Sequence, residues 1–171
     1  MESLPIIPVH VITLVEDPSN PVLFLYCQGE NRIIPVLIGP PEAKILALAL
    51  DKVNFERPLT HSLLLSTIEA MGGQLSRIVI YDVAKDIFYA KICVKIGEGQ
   101  EEIQIDARPS DALILAVQAI KPIFVTKTVM DKAGQKSPII QQPSAHQGLT
   151  QKEITELKKH LTEAQQREQT G

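Results

Sequence analysis

Residues 34–49 read Ile34-Pro-Val-Leu-Ile-Gly-Pro-Pro-Glu-Ala-Lys-Ile-Leu-Ala-Leu-Ala49, and residues 103–118 read Ile103-Gln-Ile-Asp-Ala-Arg-Pro-Ser-Asp-Ala-Leu-Ile-Leu-Ala-Val-Gln118. Each is an apolar strand that runs into Pro-x-acid-Ala and then an apolar helix. At a constant offset of 69 positions, Pro40 falls on Pro109, Glu42 on Asp111 and Ala43 on Ala112. A proline at the first helical position loses no hydrogen bond, because the amide it lacks would have had no partner there. Glu42 and Asp111 then stand at the third helical position, where free amides and the positive end of the helix dipole favour a carboxylate.

The same pattern extends upstream. Val9–Val15 and Ile78–Val83 are β-branched runs that end in turns, followed by second strands at Val22–Gln28 and Ile87–Ile96. Gly29-Glu-Asn31 and Gly97-Glu-Gly99 mark the next turns, and third strands follow at Ile33–Ile38 and Glu102–Asp106. Each half is therefore β-β-β-α. The fold class expected is α+β, with internally duplicated β-β-β-α units, mixed or antiparallel sheets and an inserted helix. That helix begins near Thr60, a good N-cap, and stops near Met71-Gly72-Gly73. Pro122–Thr126 reads as one more short strand.

Beyond Gly134 the composition turns to Gln, Ser, Pro and Gly. The expected organisation is a domain over residues 1–133, a flexible linker over 134–148, and an appended C-terminal amphipathic helix over 149–171. Thr150 and Glu153 form a capping box, Leu149 and Ile154 a staple, and Ile154, Leu157, Leu161 and Ala164 a narrow apolar stripe.

The 171 residues are 44% hydrophobic and 22% charged, ordinary for a globular chain. No apolar run reaches the roughly 18–20 residues of a membrane span. The N-terminus has no basic segment before an apolar stretch, so no secretory signal is expected. Cys27 and Cys93 lie in strands outside any Cys-x-x-Cys spacing, and are read as buried thiols of a cytoplasmic protein. The net charge of −3 argues against a broad basic face. Residues 1–133 alone hold 12 Lys+Arg against 16 Asp+Glu. With no Trp and 4% aromatics, composition gives little support to a stacking platform for single strands.

Chemistry concentrates in Glu42, Arg57, His61, Asp106, Arg108 and Asp111. One reading is an arginine–carboxylate network that locks the strand-to-helix corner, since a planar guanidinium can hold two carboxylates. The other is a polar pocket in which Asp106 binds a cation or takes a proton. There His61 serves as general acid/base, and Arg57 and Arg108 hold an anion. Thr60, Ser62 and Ser110 occupy helix N-terminal turns beside these groups. The chain has no Walker loop, G-x-G-x-x-G, His-Glu-x-x-His or G-x-S-x-G.

Arg57-Pro-Leu-Thr-His61 and Asp106-Ala-Arg-Pro-Ser-Asp-Ala112, followed by Pro122-Ile-Phe-Val125, resemble the signatures of the bifunctional nuclease (BFN) domain family. Ile38-Gly39 with Glu42-Ala43, and Phe88-Tyr89-Ala90, match its other segments, so the resemblance covers roughly residues 8–133. It implies a compact α+β domain, homo-oligomeric with a dimer favoured, in a family associated with cleavage of DNA and RNA. By position, its polar motif residues here are Glu42, Arg57, His61, Asp106, Arg108 and Asp111. The chain departs from the family at Ser62, where an acid usually follows the motif histidine.

Two functions are therefore expected as rivals. The first is a phosphodiesterase acting on nucleic acid, with His61, Asp106 and Asp111 catalytic and Arg57 and Arg108 on the phosphate. Asp106 and Asp111 would hold Mg²⁺ or Mn²⁺, the ions carboxylates favour, with no organic cofactor. The second is a non-enzymatic oligomeric interaction module in which the same cluster is structural.

Overall fold

A computed structural model describes residues 5–97, 101–138 and 151–168, the last stretch without the side chains of 160–162 and 164–168. Three strands form the first meander, β1 (Ile6–Val15), β2 (Val22–Cys27) and β3 (Arg32–Leu37), and helix α1 (Pro40–Leu50) follows. Helix α2 (Thr60–Ala70) leads into the second meander, β4 (Gly73–Ala84), β5 (Ile87–Ile96) and β6 (Glu101–Ala107), with α3 (Pro109–Ala119) behind it. The chain then makes β7 (Ile123–Thr126), α4 (Lys127–Ala133), β8 (Gln135–Lys136) and α5 (Gln151–Glu168). The order β-β-β-α thus occurs twice, with α2 between the two runs.

All eight strands join one mixed sheet in the order β6-β5-β4-β7-β1-β2-β3-β8. Both meanders are antiparallel, and β7 lies between them, antiparallel to β1 and parallel to β4. Local periodicity anticipated β1 to β7, but neither β8 nor this central wedge. The β4–β5 hairpin turns on Lys85 and Asp86, both with positive φ (50° and 61°), the paired left-handed geometry that matches strand twist.

The helices begin where the prolines predicted. Gly39 and Arg108 are the N-caps, so Glu42 and Asp111 hold the third positions. One expected cap is corrected: Leu59 caps α2, and Thr60 is already its first helical residue, with no side-chain cap bond. Gly72, at φ 79°, ends that helix as anticipated. The described body does not stop at residue 133. Helix α4 and strand β8 carry the body onward: Arg32 pairs with Lys136, Ser137 donates its amide to the Asn31 carbonyl, and Arg32 Nη2 donates to the Gly134 carbonyl at 2.5 Å.

The main core lies between the sheet and the α1–α4 side, with Leu25, Ile34, Leu46, Ile78, Leu113, Val125 and Met130 among its side chains. A smaller core on the opposite face joins Val22, Phe24, Tyr26 and Ile33 to Leu157, which is fully buried beneath α5 with Ile154 beside it. The C-terminal helix therefore docks on β1–β3. Residues 139–150, with most of the expected linker, Leu149 and Thr150, lie outside the described residues, as do the side chains of Leu161 and Ala164. Cys27 and Cys93 are free and buried, as expected.

Candidate functional site

Helices α1 and α3 pack against each other, and their first turns meet at Arg108. Arg108, the N-cap of α3, reaches both acids. Its Nη1 donates to Glu42 Oε1 at 2.9 Å, its Nε to Asp111 Oδ2 at 2.7 Å, and its Nη2 to Asp111 Oδ1 at 3.0 Å. The position matching Arg108 in the first helix is Gly39. A Cβ there would meet the Glu42 carboxylate, so the acid would have to swing aside from its present place over the cap.

From α2, His61 Nε2 lies 3.0 Å from Asp111 Oδ1. Facing an ionised carboxylate, this nitrogen carries the proton, which makes Nδ1 the acceptor in the neutral ring. Four of the six expected residues are thereby joined as His61–Asp111–Arg108–Glu42. The His61, Asp111 and Glu42 side chains retain only 15%, 27% and 20% of their exposure, while Arg108 retains 64%. Burial pushes the Asp111 carboxyl up, but hydrogen bonds from Arg108 and His61 more than reverse this and hold it below the usual range. The Arg108 guanidinium is driven further up, first by its hydrogen bond to Asp111.

Asp106 stands apart from this chain. It accepts a 3.3 Å hydrogen bond from the Tyr81 hydroxyl and lies opposite Lys91 in the sheet. It shares with Glu42 and Arg108 a cleft of about 510 Å³ at the mouth of the two strand-to-helix corners, which Phe88 and Tyr89 also line. His61 and Asp111 are not among its walls; they lie behind Arg108. Arg57 is exposed, and no hydrogen bond or ion pair among the described residues joins it to the cluster. Ser62 Oγ donates to Gln118 Oε1 at 3.4 Å, tying α2 to α3, and Ser110 is buried in the first turn of α3.

The donor set does not suit the expected cation. Both oxygens of Asp111 already receive Arg108, one of them His61 as well, and Arg108 also occupies Glu42. A cation there would sit against a guanidinium, and no three His, Cys, Asp or Glu side chains among the described residues are grouped to hold one.

Three features were missed by sequence reasoning: Gly39 as the space for Glu42, Gln118 as the partner of Ser62, and the Tyr81–Tyr89 pair beside Asp106. The offset of 69 could have exposed the first, because it sets Gly39 against Arg108.

A family model described as bifunctional nuclease domain matches residues 23–138. An uncharacterized protein of Mycobacterium tuberculosis is 34% identical over 148 residues, which cover 86% of this chain and 87% of that protein. Bifunctional nuclease 1 of Oryza sativa subsp. indica is 25% identical over 120 residues, 70% of this chain and 36% of its own length. Bifunctional nuclease 2 of Arabidopsis thaliana is 22% identical over a match of the same extent.

Proposed function

The chain belongs to the bifunctional nuclease domain family, and from that premise we propose that it hydrolyses phosphodiester bonds of nucleic acid at the Arg108 cleft. The observation that carries the reading is the His61–Asp111–Arg108–Glu42 chain. It leaves two of the five N–H donors of an exposed guanidinium unused, enough to meet two phosphate oxygens. Asp106, across the cleft, takes a proton from water as the water oxygen bonds to phosphorus. The ester bond breaks, and His61, which stands behind Arg108 and outside the cleft wall, supplies the proton to the departing oxygen through one bridging water. Asp111 orients the imidazole and stabilises its charged form, as a buried carboxylate does for a catalytic histidine. Arg57, four residues ahead of His61, holds a flanking phosphate. No step is routed through Mg²⁺ or Mn²⁺, given the donor set above.

The test is cleavage of DNA and RNA by protein free of contaminating nuclease, with added Mg²⁺ or Mn²⁺ and with EDTA. Wild type is expected to cut in both conditions. His61→Ala and Asp106→Asn should each lose about 10²-fold or more in rate, with melting temperatures within a few degrees of wild type. Wild type that never cuts, with variants that unfold early, would end the proposal. A second reading is favoured by one observation: every oxygen of Asp111 is engaged within the fold, as a purely structural lock between α1, α2 and α3 requires. That reading is an interaction module without chemistry, and the latter outcome would establish it. We also propose a homodimer, with β6 at the free end of the sheet and Ile103 and Ile105 exposed on it, as the pairing edge.

A further inference from the structure

Helix α5 covers the second face of the sheet only over β1–β3. Helices α1–α4 all send side chains into the core on the other side. Over β4–β7, no helix among the described residues closes the second face.

What that face presents follows from the register, because directly opposed residues point the same way. Asp106 opposes Lys91, Lys91 opposes Val79, Val79 opposes Phe124, and Phe124 opposes Pro8. Beside this row the bulged Tyr81 turns its ring under Lys91 Nζ, 5.6 Å from the centroid, and stands 6.2 Å from the Tyr89 ring at 45°. Tyr89 is 41% exposed. Arg77 lies in the neighbouring row, held by Glu102 at 2.6 Å, and Lys91 Nζ donates to Gln104. Two of the chain's three tyrosines and a phenylalanine thus share this face with two cations, Tyr89 exposed, Tyr81 and Phe124 half-buried and Val79 buried among them, although aromatics are only 4% of the sequence.

The platform runs into the cleft without interruption. Tyr89 and Asp106 belong to both, and Arg108 lies next along the cleft. We propose that a single strand of nucleic acid lies across this face. Its bases stack on Tyr89, Tyr81 and Phe124, its phosphates pass Lys91 and Arg77, and its backbone is led over Asp106 to Arg108. The inference rests on the phosphodiester reading of the cleft. It adds what that reading leaves open, namely that the substrate is single-stranded and is gripped by its bases. A duplex hides the base faces that aromatic rings need. An acidic chain of net charge −3 lacks the broad field that holds a duplex by its phosphates, whereas stacking needs no net charge.

The test uses the full-length protein and dye-labelled oligothymidylate and oligouridylate, a dozen nucleotides long with phosphorothioate links that resist cutting. Fluorescence anisotropy should show both strands binding, and the matching duplex bound at least tenfold more weakly. Tyr89→Ala should weaken single-strand binding by about five- to a hundredfold. Tyr89→Phe, which keeps the ring, should bind as wild type does, and Lys91→Gln, a polar swap on the exposed face, should weaken binding severalfold. Duplex bound as tightly as single strand, or Tyr89→Ala and Lys91→Gln both binding at wild-type strength, would overturn the proposal. So would an absence of binding accompanied by a changed oligomeric state in Tyr89→Ala, which would make the face a protein interface. Strands that bind through Tyr89 but are never cut in unmodified form would refute the hydrolytic reading alone. Cutting that ignores Tyr89 would refute the platform alone.

Discussion

Replacing Asp111 with Asn strikes the carboxylate that ties His61 of α2 to Arg108 at the cap of α3. The carboxylate receives Arg108 at 2.7 and 3.0 Å and His61 at 3.0 Å. Stripping a fully buried ion pair of one partner costs about 3–5 kcal/mol, and an exposed pair is worth about 0–1 kcal/mol. Asp111 keeps 27% of its exposure and Arg108 64%, Arg108 retains Glu42, and the amide still offers one acceptor. The expected loss is therefore about 1–2 kcal/mol, or a fall in Tm of roughly 3–6 °C for a chain of this size. The pH dependence has a definite sign. A carboxyl lowered in the folded state contributes stability that is full above its unfolded value, about 3.9, and drains away as pH falls through the folded value. The gap between wild type and Asp111→Asn should thus be open at pH 7 and close as pH falls below about 4. Urea unfolding followed by circular dichroism across that range measures it. A gap that persists unchanged to pH 3, or a variant as stable as wild type at pH 7, would refute the ionic account of this corner.

Two further predictions concern packing. Leu157→Ala removes the buried anchor of α5 and should cost about 2–3 kcal/mol, with faster limited proteolysis of the C-terminal helix as the readout. Gly134→Ala would drive a methyl into the Met130 carbonyl oxygen and to 2.6 Å from its Sδ, where the backbone cannot yield. Thermal melts should show a loss of about 1–3 kcal/mol.

Much of the site could be read along the chain because its parts are governed locally. Pro40 and Pro109 fixed both helix starts, and the third-position acids followed from those starts. That Glu42 and Asp111 meet on one guanidinium could not be read, because it depends on α1 and α3 packing against each other. Helix α4 was overlooked because seven residues, Lys127–Ala133, are too short for a periodic signal; Val129 and Met130 are both fully buried. The insertion of β7 between β4 and β1 left no trace in its four residues, since pairing order is a property of the whole sheet. Composition could not place the aromatics for a related reason: a percentage counts rings but does not say that Tyr81 and Tyr89 stand together. Arg57 carries a motif position, yet nothing in the sequence indicated that it would stand clear of the other five.

The position of β7 also orders events during synthesis. Strand β1 has its β2 partner a few residues further along the chain, but its other margin must wait for residues 123–126, more than a hundred positions later. Only then can the two meanders be stitched across the middle. Contacts of such long range close slowly, because loop entropy must be overcome before they repay it. A nascent chain halted just short of Ile123 would carry two separate three-stranded fragments, each with an open flank inviting the wrong neighbour.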